Sequence, residues 1–126
     1  MLNTSKIVGF VGTTKPAEAT HFYQLQLGLN LLEESPFALV FAAGDTTVRV
    51  QKVEVLVTPP YTSLGWDVVN IEATVKELTS NGVVFQHFKG LPQTEAGIWN
   101  TPEGSKIAWF KDPDGNTLSL TEHVSN

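Results

Sequence analysis

Short apolar or alternating segments recur along the chain, and a period of two residues between apolar side chains is typical of β-strands. Strands are predicted at residues 7–11, 29–34, 37–42 and 46–53 in the first half, and at 64–70, 83–88, 106–110 and 117–121 in the second. Proline, glycine, aspartate and asparagine separate several of these segments, as expected for turns. The pattern therefore predicts a chain that is rich in short strands.

Two other segments have the spacing of an amphipathic helix. The first, TTKPAEATHFYQLQLGL at residues 13–29, has its apolar side chains on one side, and Gly28 is expected to end the helix. The second, residues 71–82, follows Asn70, a favourable N-cap residue, and ends at Gly82. Each half of the chain is therefore predicted to contain one helix.

The predicted order of elements is β-α-β-β-β, and it occurs twice. This order predicts an α+β fold in which two βαβββ modules form a curved mixed sheet around a cleft. We expect one domain over residues 1–126, with module one at about 5–54 and module two at about 62–123. Because each helix can cover only one face of its sheet, the other face remains for the cleft.

The alternation within three strands predicts which side chains lie on each face. Those expected toward the helices are Val48, Val50, Leu64, Trp66, Val68, Leu118 and Leu120. Those expected on the cleft face are Thr47, Arg49, Gln51, Ser63, Gly65, Asp67, Thr117, Ser119 and Thr121. The predicted cleft wall is therefore polar, with few charges.

Composition excludes several classes of function. The chain has 126 residues, a net charge of -5 and no cysteine, which excludes disulfides, thiolate metal sites and thiol nucleophiles. Its eight lysine and arginine residues are scattered, so nucleic acid is not expected as a partner. No apolar run is long enough to span a membrane and no signal peptide is recognised, so we expect a cytoplasmic location and no membrane partner.

Two motifs, together with the doubled element order, carry a family resemblance. The segments FYQLQLGL at 22–29 and TPEGSKIAWFKDPDGNTLSL at 101–120 resemble the vicinal oxygen chelate superfamily. That superfamily includes lactoylglutathione lyases, extradiol dioxygenases, and the bleomycin- and fosfomycin-resistance proteins. The resemblance implies the glyoxalase/bleomycin-resistance-like fold, a homodimer and a small-molecule ligand. It does not select one activity, because the same fold carries several chemistries.

In metal-dependent members of this superfamily, side chains on four strands hold a divalent ion in the cleft. Transferred to this chain, those positions fall near Val8, on the strand with Arg49 and Gln51, at Ser63 and at Ser119. Valine offers no ligand atom, and serine is a poor ligand beside carboxylate or imidazole. We therefore expect no metal and no other cofactor, with a divalent metal at displaced positions as the alternative.

Seven residues are predicted to bind a ligand, and no catalytic residue is assigned. They are Phe10, Arg49, Gln51, Asp67, Trp99, Trp109 and Ser119. Arg49 suits a carboxylate or phosphate, although a structural ion pair with Asp67 is an equal alternative. Trp99 lies in a long connection, where it either covers the core or closes over the cleft.

These residues favour metal-independent binding of a small anionic or aromatic molecule in the cleft. The alternative is a lyase, isomerase or dioxygenase that uses a displaced metal or acid–base residues, for which Gln51, Asp67 and His87 would have to converge. A third possibility is an interaction module whose cleft is filled by its own side chains. Whether the chain is an enzyme stays open at this point.

Overall fold

The computed structural model describes residues 1–124 and contains eight strands and two helical segments beyond a short 3-10 turn at Leu2–Thr4. The strands are β1 (Val8–Thr13), β2 (Asn30–Glu34), β3 (Ala38–Ala43), β4 (Thr46–Lys52), β5 (Thr62–Asp67), β6 (Trp99–Asn100), β7 (Lys106–Lys111) and β8 (Thr117–Glu122). Helix α1 (Pro16–Thr20) continues as a π-helix over His21–Gln26, and α2 spans Ile71–Ser80.

The strands form two four-stranded mixed sheets with the same topology. The first has the order β1-β4-β3-β2 and the second the order β5-β8-β7-β6. In each sheet the first strand of the module pairs in parallel with the last, and the remaining pairs are antiparallel. The prediction of an α+β fold built from two βαβββ modules is confirmed.

A single hydrophobic core lies on the helix-facing side of both sheets. Val48, Val50, Leu118 and Leu120 are buried there, as the alternation predicted. The core also contains helix residues from both modules, so the two modules share it rather than having one core each. Burial of apolar surface therefore holds the two sheets to the same pair of helices.

The π-helix at His21–Gln26 places two consecutive aromatic side chains in the core. Leu27 donates its backbone N–H to the carbonyl of Phe22, five residues earlier, at 2.9 Å. Phe22 and Tyr23 are both buried, and their rings make an edge contact with centroids 5.1 Å apart. Neighbouring aromatic side chains thus both face the core at the junction of the modules.

The turn between β7 and β8, DPDGN, fastens module two to module one. Tyr23 donates its hydroxyl to buried Asp112 at 2.7 Å, and the Asn116 side chain donates to the carbonyl of Gly12 at 2.9 Å. Burial, and then the neighbouring charge of Asp112, raises the pKa of Tyr23 well above its ordinary value. Tyr23 is therefore a neutral hydrogen-bond donor at any physiological pH.

Asp114 in the same turn also reaches module one. Its carboxylate accepts hydrogen bonds from the side chains of Thr13 and Thr14 and from the Thr14 backbone. Partial burial alone would raise the pKa of Asp114, but these hydrogen bonds and the charge of Lys15 hold it below its ordinary value. The turn thus carries an ionised carboxylate whose hydrogen-bond donors, Thr13 and Thr14, belong to the other module.

The prediction of a strand at 83–88 is wrong. Phe85 forms only an isolated bridge to Phe110, and the second sheet's edge strand is instead β6, within the predicted long connection. The Gln93 side chain accepts from the backbone N–H of Phe88 and donates to the carbonyls of Gln86 and Gly97. Because these bonds use backbone groups that a regular strand would pair, the segment folds as an irregular loop against β7.

Candidate functional site

The face of the second sheet that points away from the helices carries two rows of side chains. The registers place Gly65, Ser119 and Trp109 side by side across β5, β8 and β7. The next row contains Thr117 beside Lys111. We call this surface the second-sheet face.

Three aromatic side chains form a cluster on the second-sheet face. The ring of Trp109 stacks at 27° on that of Trp99, with centroids 6.1 Å apart. Phe88 meets Trp109 edge-on, with centroids 5.4 Å apart and an interplanar angle of 87°. All three side chains remain partly or largely exposed. We call Phe88, Trp99 and Trp109 the aromatic cluster.

A cavity of about 460 Å³ lies beside this cluster. Its walls include Trp109, Phe88 and Gln86, and residues 58–61 of the linker that leads into β5. Among the residues that line it, Lys111 is the one with a side chain that is charged at neutral pH. Its volume is in the range of small-molecule sites, and its walls combine aromatic surface with a few polar groups.

Ser119 contributes little surface to this face. Its side chain is only 8% exposed and lies against Gly65 on the neighbouring strand. A Cβ built on Gly65 would lie 2.8 Å from Ser119 Oγ, so glycine is the residue that allows this close approach. The hydroxyl therefore lies close to the backbone of Gly65 and is largely shielded from solvent.

Ser63 does not occupy the position that simple alternation predicted. A β-bulge lies between Thr62 and Leu64, so that Thr62 pairs with Thr117 and Leu64 with Leu118. Ser63 is the additional residue, and Thr62 is the β5 side chain that lines the cavity. A bulge shifts the alternation by one residue, which periodicity cannot anticipate.

Three predicted ligand-binding residues lie on the first sheet. Phe10 on β1 is paired with Arg49 on β4, which in turn is paired with Val40 on β3, and Gln51 lies two residues beyond Arg49. Phe10 is 54% exposed, so the corresponding face of the first sheet is open. The cavity beside Trp109 does not include Phe10, Arg49 or Gln51 in its lining. The predicted residues thus form two groups, one on each sheet.

Asp67 lies beside His123, with Asp67 Oδ1 and His123 Nε2 2.7 Å apart, and both side chains are largely exposed. It does not pair with Arg49 within residues 1–124. His87 lies elsewhere, in a shallow cavity with Val84 and Glu95. Gln51, Asp67 and His87 therefore do not form a common acid–base site.

The donor set does not fit a divalent metal. Within residues 1–124, no group of three or more histidine, aspartate or glutamate side chains is placed to hold an ion. The four transferred family positions offer an apolar side chain at Val8, an arginine and an amide on β4, and the hydroxyls of Ser63 and Ser119. Such a set lacks the carboxylate and imidazole ligands that these metals require.

Most residues that line the cavity were not identified from the sequence, including the four with the longest side chains among them. These four are Tyr61, Gln86, Phe88 and Lys111. Lys111 follows Trp109 by two residues on β7, so strand alternation contained the signal needed to find it. Tyr61, Gln86 and Phe88 lie in irregular segments, where no periodic pattern indicates which way a side chain points.

No helix among residues 1–124 has the length and apolarity that crossing a membrane would require.

Solved structures share this architecture over nearly the whole chain. The glyoxalase/bleomycin resistance protein/dioxygenase from Alicyclobacillus acidocaldarius is 16% identical, with a TM-score of 0.74 over 97% of this chain and 93% of that one. Lactoylglutathione lyase from Agrobacterium tumefaciens is 16% identical, with a TM-score of 0.69 over 94% and 93%. TioX from Micromonospora sp. ML1 is 18% identical, with a TM-score of 0.72 over 95% and 99%. At these identities the similarity establishes the fold.

A search of curated proteins gives no match to this sequence. A family model does match, and it covers residues 7–120, which is most of the chain and includes both modules. The resemblance seen in the motifs at 22–29 and 101–120 is therefore confirmed. The chain belongs to the Glyoxalase/Bleomycin resistance protein/Dioxygenase superfamily.

Proposed function

We propose that this protein binds a small organic molecule against the second-sheet face and does so without a divalent metal ion. The observation that carries the proposal is the aromatic cluster, in which the partly exposed rings of Phe88 and Trp109 line a cavity of about 460 Å³. Aromatic side chains that stay exposed beside a cavity supply a large apolar contact area for a ligand. The protein is then a binding protein and its ligand contacts Trp109 directly.

The chemistry of the face supports binding rather than metal-assisted turnover. Ser119, at one of the transferred family positions, offers only a hydroxyl, and within residues 1–124 no group of histidine, aspartate or glutamate side chains is placed to hold an ion. Lactoylglutathione lyase from Agrobacterium tumefaciens carries an enzyme name, but its 16% identity to this chain extends to the fold alone. The proposal therefore depends on this chain's own side chains.

The test measures ligand binding by tryptophan fluorescence on protein purified without chelators, with a panel of small aromatic compounds. In Trp109→Ala, we expect binding to weaken at least about tenfold, because one stacking partner and much of the apolar contact are removed. The matched control is Trp66→Phe, because Trp66 stacks on Phe110 at the core side of the same sheet. That control is expected to keep the wild-type affinity.

Metal analysis of the same preparation decides between binding and the enzymatic alternative. We expect substoichiometric zinc, nickel, iron and manganese, and no turnover of the methylglyoxal–glutathione hemithioacetal with or without added metal. Stoichiometric metal together with turnover would overturn the proposal and favour the lyase. Equal affinities for wild type and Trp109→Ala would also contradict it.

We also propose that the protein is a homodimer in which a second copy covers the open face of the first sheet. Val8 and Phe10 are exposed there at 41% and 54%, beside the charged side chain of Arg49. Large exposed apolar side chains on a sheet face often mark a surface that binds a partner, because binding removes them from water. A symmetric pair of identical chains is the commonest way to do so.

Sedimentation at micromolar concentration tests the dimer. The wild type is expected to have about twice the mass of one chain. Phe10→Glu places a charge on both sides of a symmetric interface, and we expect it to sediment as a monomer. Val69→Glu, at a fully exposed position near the end of β5, is the control and should remain dimeric. A monomeric wild type would contradict the proposal.

A further inference from the structure

We propose that the ligand of the second-sheet face is a flat aromatic anion and that Lys111 is the residue that binds its acidic group. This inference rests on the proposed function, since it names the ligand class of the same site. Lys111 is exposed on β7, lines the cavity and follows Trp109 by two residues on the same face. From the sequence, Arg49 was a candidate for binding an anion, with a structural ion pair to Asp67 as the equal alternative, and it lies on the other sheet.

The charges around the cavity favour an anion. The other side chains of its lining are neutral at physiological pH, among them Gln86, Thr62 and Thr117. Within residues 1–124, Lys106 pairs with Glu72 and Lys52 pairs with Glu34, whereas Lys111 has no acidic partner within ion-pair distance. The ammonium of Lys111 is therefore available to a ligand, in a protein whose net charge of -5 otherwise repels anions.

The nearest carboxylates along the chain are occupied by other partners. Asp112 accepts from Tyr23 in the shared core, and Asp114 accepts from Thr13 and Thr14 of module one. Both therefore face module one and compete little for Lys111. Lys111 is therefore the one charged side chain in the cavity lining, and no ion pair found within residues 1–124 involves it.

The distance between Trp109 and Lys111 limits the shape of the ligand. Residues two apart on a strand lie on the same face and are separated by about 7 Å. A ring that stacks on Trp109 therefore presents a carboxylate to Lys111 when the acid lies at one end of the ring system or on a short spacer. The hydroxyl of Thr117, directly beside Lys111, supplies a neutral donor to the same group.

Three naphthyl probes of similar size separate the effect of charge, and a smaller saturated anion tests the contribution of stacking. The probes are 2-naphthylacetate, 2-naphthylmethanol, 2-(aminomethyl)naphthalene and the non-planar anion cyclohexylacetate. At low salt we expect 2-naphthylacetate to bind about tenfold tighter than the amine, and cyclohexylacetate to bind more weakly because it cannot stack on Trp109. Calorimetry supplies the affinities without relying on fluorescence.

Variants assign the charge preference to one residue. Lys111→Gln is expected to weaken 2-naphthylacetate about fivefold and to leave 2-naphthylmethanol unchanged, and Lys111→Glu should reverse the preference between acid and amine. Lys106→Gln, on the same strand but paired with Glu72 away from the cavity, is the matched control and should behave as wild type. Arg49→Gln should also leave the preference intact.

The outcomes distinguish this inference from the proposed function. Binding of all three naphthyl probes with equal affinity, still lost in Trp109→Ala, overturns the inference and leaves the proposed function standing. A charge preference that disappears in Arg49→Gln and persists in Lys111→Gln also overturns it. Failure of every probe to bind contradicts both.

Discussion

Replacing Asp112 with alanine is expected to lower the free energy of unfolding by about 4 kcal/mol. Its carboxylate, in a residue only 6% exposed, accepts four hydrogen bonds. The donors are the Tyr23 hydroxyl at 2.7 Å, the Asn116 side chain at 2.8 Å, and the backbone N–H groups of Asn116 at 2.9 Å and Asp114 at 3.0 Å. Alanine would leave several buried donors without acceptors, and each such donor costs about 1–3 kcal/mol.

Urea denaturation, followed by circular dichroism, measures this loss. Tyr23→Phe removes one donor together with its bond, so it is expected to cost only about 1–2 kcal/mol. Asp45→Ala is the matched control, because Asp45 lies in the turn between β3 and β4 of module one and is exposed; we expect less than about 0.5 kcal/mol. A loss below about 1 kcal/mol in Asp112→Ala would contradict the prediction, because it would show that these four hydrogen bonds contribute little to stability.

The strands and their faces were predictable where one side of a strand is fully buried. Val48 and Val50 on β4, and Leu118 and Leu120 on β8, lie in the core as the alternation required. Burial of one face fixes the register of such strands, because a shift of one residue would expose every apolar side chain. Because the same burial produces the alternating pattern in both halves of the chain, the doubled module order could be recognised from the sequence.

The errors lie where side-chain hydrogen bonds or bulges replace the regular pattern. At 83–88, the Gln93 amide takes the backbone groups that a strand would use, and at Ser63 a bulge shifts the alternation. Both depend on residues that come together only in the folded chain. A periodic pattern carries no information about such contacts.

The candidate site was predicted in part for a related reason. The seven residues predicted to line one cleft fall on two sheets, with Trp109 beside Ser119 on the second and Phe10 beside Arg49 on the first. Whether two faces enclose one cleft depends on how the modules pack, which is decided by contacts such as Phe22 with Phe110 and Gln26 with Asn81. Sequence periodicity fixes the faces of each sheet but not the arrangement of the two sheets.

Phe110→Ala is the second substitution with a large expected effect, a loss of about 3–5 kcal/mol in the free energy of unfolding. The ring is fully buried and contacts Trp66 and Phe85 of module two, with centroids 6.3 Å and 5.3 Å away. It also contacts Phe22 of module one, with centroids 6.2 Å apart. Alanine would leave a cavity where the aromatic side chains of both modules meet, and such a cavity closes only partially.

Because Phe110 contacts both modules, its loss should destabilise them together. We expect Phe110→Ala to unfold in one transition at a lower urea concentration, with the slope of the transition unchanged. Phe110→Leu refills much of the volume and should cost about 1–1.5 kcal/mol, while Phe37→Ala, at a side chain that is 77% exposed, should cost less than about 0.5 kcal/mol. Two separate transitions in Phe110→Ala would contradict a shared core, since one module would then remain folded without the other. A single shifted transition is the expected result, because the aromatic contacts that join the modules also bury the largest apolar side chains of each.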